Sequence, residues 1–224
     1  MPYLPDRFGE LLSLEILILQ TTDTYKRIGV NFEPASRPAH LGYESEGEEF
    51  ELDGSCSLRA FPGTFSLLTR LEQLIIDGCE MLEELPSGMG NLRSLKVLKV
   101  ENCKRLKAGL GRLSSLVHLH IVNTNLPALP ENLGDLKELA QINLKTLPLL
   151  THLPENLGQL KALNELVSLQ GCKALRALPS DLGSLSCLRE VDLDVCTQLK
   201  ELPGSLVDRV NVIQVKGSWG KSCY

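Results

Sequence analysis

Apolar residues recur along this chain in the short phrase LxxLxL, with polar residues at many of the intervening positions. The phrase begins at Leu14 (LEILIL), Leu71 (LEQLII), Leu95 (LKVLKV), Leu116 (LVHLHI), Leu139 (LAQINL), Leu163 (LNELVSL) and Leu188 (LREVDL). From Leu71 onward, consecutive starts lie 24, 21, 23, 24 and 25 residues apart. A degenerate unit with Phe50 and Leu52 precedes Leu71, and VNVIQV at 210–215 closes the series, giving about nine units. Within LxLxx the side chains alternate, so the Leu positions share one face of a short strand and the x positions the other. Strands stacked about 4.8 Å apart pair in parallel and pile Leu upon Leu on the inner face.

Each strand phrase is preceded by a second signal: LPDRFGEL, FPGTFSLL, LPSGMGNL, LPENLGDL, LPENLGQL and LPSDLGSL. Proline fixes φ and lacks an N–H, which suits a chain leaving the strand side for the opposite face. Leu133, Leu136 and Leu139 recur every three residues, the period of a 3₁₀ or single α turn. Gly134 and its counterparts Gly9, Gly90, Gly111, Gly158 and Gly183 fall where that turn needs room or a permissive φ.

The unit LPxxLGxLxxLxxLxLxxCxxLxx resembles a leucine-rich repeat of about 24 residues, with Cys where many such repeats carry Asn. The resemblance implies an α/β solenoid: a right-handed coil with a parallel concave sheet, about nine turns, and short 3₁₀, helical or irregular convex segments. Residues 1–224 read as one such domain, with an irregular insertion at 20–47 and a degenerate last turn at 210–224. The second unit starts 33 residues after Leu14, about nine more than a regular turn needs. Six acids lie between Glu44 and Asp53, and no Lys or Arg between Arg37 and Arg59, so the insertion reads as a solvated loop or a partner-binding excursion. Two smaller irregularities are the missing LP between Leu106 and Leu113, and an extra residue predicting a bulge near Leu166. Neither end carries a marked cap, which predicts dimerisation or fraying of the N-terminal turn.

Composition sharpens this picture. Leucine accounts for 47 residues and aromatics for only 4%, a uniform diet that fits one layer copied many times. The net charge of −5 argues against nucleic acid as a partner. No apolar run reaches the roughly 18 residues of a membrane span, and LLSLEILIL lacks the basic start of a signal peptide. The missing N-x-[ST] sequon points the same way, toward a cytoplasmic or nucleocytoplasmic protein without membrane attachment.

Four of the seven cysteines, Cys79, Cys103, Cys172 and Cys196, share one repeat position, eight or nine residues after the starting Leu. Thr22, Ser55, Thr124 and Leu147 fill it elsewhere, so the site reads as a small buried wedge of reduced thiols rather than a disulfide or zinc ladder. Cys56, Cys187 and Cys223 fall off the column. GSWGKS at 217–222 lacks the first Gly of a phosphate loop and has no helix after it. His118 and His120 read as solvent-facing contact residues, since Lys99 and Asn143 at the same depth are poor company for a metal. An open curved sheet encloses no carboxylate, so no enzyme is expected, and no cofactor.

Curvature leaves the x residues lining the concave surface. They are Glu49, Glu51 and Asp53; Gln73, Ile75 and Asp77; Val97, Lys99 and Glu101; His118, His120 and Val122; Gln141, Asn143 and Lys145; Ser168 and Gln170; and Glu190, Asp192 and Asp194. With both ends acidic and the middle mixed, the expected partner is a protein with basic patches. Elsewhere, Arg93 to Arg112 holds seven basic residues and one acid, a second place where an acidic segment, such as the chain's own 44–53 stretch, could dock.

With LP..LG.L and Cys at the variable site, the repeats resemble those of plant intracellular leucine-rich-repeat proteins, in particular the C-terminal arrays of nucleotide-binding disease-resistance receptors. That resemblance implies a non-enzymatic recognition module in plant innate immunity or intracellular signalling. Its partners are then pathogen effectors, guarded host proteins or a nucleotide-binding switch domain. The repeats are also similar to Ras-group leucine-rich-repeat proteins, which implies a scaffold regulating a phosphatase or kinase. A truncated receptor fragment without a retained role is the remaining alternative, because no P-loop or signalling domain accompanies the array.

Overall fold

The computed structural model describes residues 4, 6–20, 48–53, 57–108, 110, 113–163, 166–209 and 214–217. Nine strands pair in one parallel sheet: β1 (Leu14–Gln20), β2 (Glu48–Asp53), β3 (Gln73–Asp77), β4 (Val97–Glu101), β5 (His118–Val122), β6 (Gln141–Lys145), β7 (Leu166–Ser168), β8 (Glu190–Asp192) and β9 (Gln214–Lys216). Alternation decides which face is buried. In β3 the burial runs half-buried, buried, half-buried, buried, half-buried, and β4 and β6 repeat it. Register then aligns the inward residues from turn to turn, as Leu74 with Leu98, Leu98 with Leu119, Leu119 with Ile142, Ile142 with Val167 and Val167 with Val191. All six are at most 2% exposed. Each buried Leu of this kind contributes about 1.5–3 kcal/mol over its exposed state.

The order of the strands departs from the order of the units. The sheet runs β2-β1-β3-β4-β5-β6-β7-β8-β9, so the degenerate unit around Phe50 lies outside β1 and not between β1 and β3. The expected exposed edge of the first turn is therefore covered: β1 pairs with β2 on one side and β3 on the other. Residues 21–47, the insertion expected between these units, and the second halves of the last turn lie outside the described residues. So do Cys56, Cys223 and Gly111. β1 and β2, joined by residues 21–47, are neighbours, while the successive strands β2 and β3 are separated by β1. β2 carries four acids in EEFELD, and charge on an edge strand discourages further pairing. Its place in the sheet also rules it out as the segment docked on the Arg93–Arg112 surface.

The expected convex turns are present. They are 3₁₀ segments at Asp6–Glu10, Gly63–Leu67, Met89–Asn91, Glu131–Asp135, Leu157–Gln159 and Leu182–Ser184, plus a single α turn at Gly204–Val207. The LP phrase starts each one: the carbonyls of Pro62, Pro86, Pro130, Pro154, Pro179 and Pro203 accept from the N–H three residues on. The glycine of LPENLG is chosen for room and not for φ. A Cβ on Gly158 would lie 2.2 Å from the carbonyl oxygen of Asp181 in the next turn, and one on Gly134 2.0 Å from that of Asn156. That proximity lets the Gly134 N–H donate to Asn156 Oδ1 (3.2 Å), Gly158 to Asp181 Oδ1 (3.1 Å) and Gly183 to Ser205 Oγ (3.0 Å). Asn156 of the second LPENLG thus answers Gly134 of the first, while Asn132 of the first donates to the Leu113 carbonyl at 3.0 Å.

At the corner after each strand, one residue adopts positive φ: Gly78, Asn102, Asn123, Thr146, Gly171 and Val195. The turn directs its N–H to the next strand's carbonyl, as from Gly78 to Glu101, Asn102 to Val122, Asn123 to Lys145 and Thr146 to Gln170. Gly and Asn suit this conformation, while β-branched Thr146 and Val195 are strained in it. The wedge position follows directly, and Cys79, Cys103, Cys172 and Cys196 are buried free thiols there. Cys172 and Cys196 donate to the carbonyls of Leu144 and Leu169 in the preceding turn. Burial pushes the Cys172 thiol up to about 11 and the Cys196 thiol up to about 12. A hydrogen bond with Cys79, followed by burial, raises Cys103 as well.

The extra residue of the seventh phrase is absorbed before the strand. Leu163 holds the buried place of Leu139, and Val167 pairs with Ile142, so the slip falls between 163 and 167. In the shortened turn without LP, Leu110 and Leu113 remain buried, and an open groove lined by Ala108, Leu126, Pro127 and Pro130 runs beside it.

These contacts set opposite signs for two substitutions. Gly158→Ala is expected to lower stability by about 1–3 kcal/mol through overpacking, and Val195→Gly to raise it by about 1 kcal/mol through relief of αL strain. Urea unfolding midpoints measure both. A neutral Gly158→Ala would show that the convex turns separate at no cost.

Candidate functional site

Because the inward face is filled by leucine, the chemistry of the array resides on its other face. Register sorts the outward residues into rows that cross the strands. One row runs Ile16, Gln73, Val97, His118 and Gln141. The middle row runs Ile18, Ile75, Lys99, His120, Asn143, Ser168, Asp192 and Lys216. A third holds Asp77, Glu101, Val122 and Lys145. Glu190 in β8 is opposite Leu166 and Gln214, and Asp194 follows β8 directly. Glu49, Glu51 and Asp53 of β2 align with Ile16, Ile18 and Gln20 of β1. Along β3 to β8 pairing sets the expected residues in common rows, and β1 is interposed between β2 and these strands.

That interposition changes the chemistry of the N-terminal sector. Ile16, Ile18, Ile75 and Val97 are all half-buried outward residues, so this end of the face is aliphatic inside its acidic edge. Ile16 and Ile18 were missed because LEILIL is apolar at every position but one, and alternation alone cannot say which set faces outward.

His120 corrects a second expectation. It lies on the outward row but is only 2% exposed, and so is not a solvent-facing contact residue. Its neighbours enclose it: Asn143 Nδ2 is 3.1 Å from Nδ1, and Glu101 Oε1 is 2.6 Å from Nε2. With the amide donating to Nδ1, the proton sits on Nε2 and is donated to the carboxylate. Lys99 Nζ holds the other Glu101 oxygen at 3.0 Å. Burial works against ionisation of Glu101, but the hydrogen bonds from His120 and Lys99 outweigh it and hold the carboxyl below its ordinary 4.5. His118, half-buried two residues away, is pushed below 6.5 by burial, and a hydrogen bond to Gln141 offsets part of that shift.

A second polar chain lies at the strand ends. Asn102 Nδ2 donates to Asp77 Oδ1 at 2.7 Å, and Asn123 Nδ2 donates to Asn102 Oδ1 at 2.8 Å. The same two asparagines supply the positive-φ corners, so their backbone and side chains serve one ladder. Toward the C-terminus Lys216 pairs with Glu190 at 2.8 Å, and Asp192 Oδ1 accepts the Asp194 N–H at 3.0 Å. Among the described residues no three or more His, Cys, Asp or Glu group to hold a metal. No helix among them is long and apolar enough to cross a membrane.

Comparison with known proteins bears on this surface. No family model matches the chain. Its sequence is 34% identical over 168 residues, 75% of the chain, to the Arabidopsis thaliana disease resistance protein RPS4B. It is 35% identical over 101 residues, 41% of the chain, to the putative disease resistance protein At4g19050 of the same plant. The match covers 12% of the first relative and 8% of the second, so the chain spans a small part of either. In structure it is similar to the leucine-rich repeat domain of the type III effector XopL, with a TM-score of 0.63 at 22% identity, covering 97% of this chain and 73% of that one. This likeness establishes the fold.

Both shifted groups favour the folded state at neutral pH. A depressed His118 contributes stability that is present above 6.5 and lost as pH falls through its folded value, and a depressed Glu101 does the same from 4.5 downward. The stability of His118→Gln is therefore expected to fall less steeply from pH 6.5 to 5 than that of the parent, and Glu101→Gln to flatten the profile below 4.5. Urea midpoints measured across that range check the two windows separately.

Proposed function

We propose that this chain, a leucine-rich-repeat array similar in sequence to plant disease-resistance proteins, is a non-enzymatic protein-recognition module of plant defence whose contact surface is the concave face. One observation carries the reading: outward rows cross four to eight paired strands with most of their side chains half-exposed, while the alternate residues are sealed in the core. Such a surface is large, rigid and open, as protein recognition requires and catalysis does not. Its residues can vary without disturbing the leucine spine, which makes it a surface on which specificity can change while the fold stays constant. A cytoplasmic setting suits the column of buried free thiols. The partners in this reading are an effector protein, a guarded host protein or a nucleotide-binding switch domain.

Capture from plant extract by the full chain tests this. Ile75→Arg combined with Gln141→Arg, both on outward positions, is expected to weaken capture at least tenfold, while Arg93→Glu with Lys107→Glu on the exposed lateral surface leaves it unchanged. The opposite pattern would move the recognition surface to the lateral side. Recovery of a GTPase–phosphatase assembly would support a Ras-group scaffold instead.

A further inference from the structure

The middle outward row contains three oxygen acceptors in consecutive strands, Asn143 in β6, Ser168 in β7 and Asp192 in β8. Neighbouring strands lie about 4.8 Å apart, so Ser168 stands midway between Asn143 and Asp192, whose backbones are about 9.6 Å apart. Their oxygens are not used up by the protein. The Asn143 amide turns its nitrogen to His120, and its Oδ1 is buried with no hydrogen-bond partner among the described residues. Ser168 is 3% exposed, and its Oγ likewise has no partner among them. Its direction is fixed by the strand: Val167 points into the core beside Ile142 and Val191, so Ser168 points to the concave side. Asp192 accepts the Asp194 N–H on Oδ1, and its second oxygen makes no hydrogen bond among the described residues.

We infer that Asn143, Ser168 and Asp192 seat a basic side chain, lysine or arginine, presented by the partner protein. The inference rests on the concave face being the recognition surface and adds the chemistry of what it recognises. Three acceptors carrying one negative charge match the three N–H bonds and single positive charge of an ammonium, or one edge of a guanidinium. A purely aliphatic guest would leave Asn143 and Ser168 unsatisfied, and an acidic one, though it could accept from the Ser168 hydroxyl, would leave the Asn143 oxygen unpaired and face the Asp192 carboxylate. The surrounding charges agree. Lys216, opposite Asp192 on β9, has its ammonium held by Glu190 at 2.8 Å. Lys145, two residues beyond Asn143 on β6, drives a cation away from its own side and toward β8. Three and four strands back from Ser168, about 14 and 19 Å away, Val97 and then Ile75 offer aliphatic surface to the same partner. The partner therefore combines a basic side chain with an aliphatic one about six extended residues away.

Nuclear magnetic resonance titration of the full ¹⁵N-labelled chain tests the seat directly, using Nα-acetyl-lysine amide, Nα-acetyl-arginine amide and Nα-acetyl-norleucine amide as probes. Both cations are expected to give saturable shifts at the Asn143 side-chain amide and the Ser168 and Asp192 backbone amides, weakened by salt. In Asp192→Asn the affinity should fall at least fivefold, and in Ser168→Ala at least twofold, with the rest of the spectrum unchanged. Equal shifts from norleucine, shifts centred elsewhere on the face, or affinities unaltered in both variants would each overturn the proposal. A protein captured through Ile75 and Gln141 that ignores Asp192→Asn and Ser168→Ala would also overturn the seat, and would leave the recognition reading standing. Saturable cation binding here without any captured protein would do the reverse.

Discussion

Everything in this molecule depends on parallel pairing between strands one turn apart in strict register. Register makes Leu74 meet Leu98 and Leu98 meet Leu119, and through them builds a core out of residues that no single turn could bury. The same register places His120 beside Lys99 and Asn143 on the opposite side. A slip of one residue in any pair would turn the leucines outward and the polar row inward, so the hydrophobic effect guards the recognition surface as strictly as it guards the core. The strand ladder is therefore a specificity device as well as a source of stability.

Register survives the corners only because each corner is built to the same plan. The positive-φ residue sends its N–H onward to the next strand, and the residue behind it plugs the corner from inside. At most corners the plug is small and tolerates a nearby carbonyl, the fully buried Leu147 being the exception. Cysteine does both, since a thiol is a weak donor that loses little when poorly paired. Thr124 shows the alternative: it fits the same space, but its buried Oγ1 finds no partner among the described residues. Leaving a hydroxyl unpaired costs about 1–3 kcal/mol, a physical reason for cysteine to recur in this column. Buried, with their proton affinity raised, these thiols are held in their protonated and least reactive form.

Most of the fold could be read from the chain, and the exceptions have definite causes. The strand phrases, the convex 3₁₀ turns and the plug column all follow from periodicity, because each is a local pattern repeated under one constraint. The place of β2 could not be read this way. Position along the chain places the second unit between the first and the third, whereas β2 pairs on the far side of β1 and leaves β1 to pair with β3. Periodicity also located the concave row but not the depth of its members. His120 and Ser168 occupy outward positions yet are almost fully covered, because exposure on a concave face depends on the size and bonding of the residues on either side. The glycine of LPENLG was legible as a need for space or for φ, and its contact with Asn156 or Asp181 of the next turn decides for space.

The division of labour along the concave face follows from the same neighbour effects. Around Glu101 the carboxylate and the imidazole are satisfied: His120 and Lys99 take both carboxylate oxygens, and the Asn143 amide nitrogen fixes the histidine ring. This cluster has little left to offer a partner, and its role is to hold the central strands' side chains in one arrangement before binding. Satisfied networks of this kind are rigid, and rigidity lowers the entropy lost on association. On one side lies an aliphatic sector, Ile16, Ile18, Ile75 and Val97, which binds without demanding direction. On the other, Asn143 and Ser168 retain unfilled acceptors. A partner that contacts only the aliphatic sector gains area but no orientation, whereas one that also reaches the acceptors is fixed along the row. On the proposed reading, selectivity belongs to the C-terminal half of the array, where an incorrect guest leaves buried oxygens unpaired.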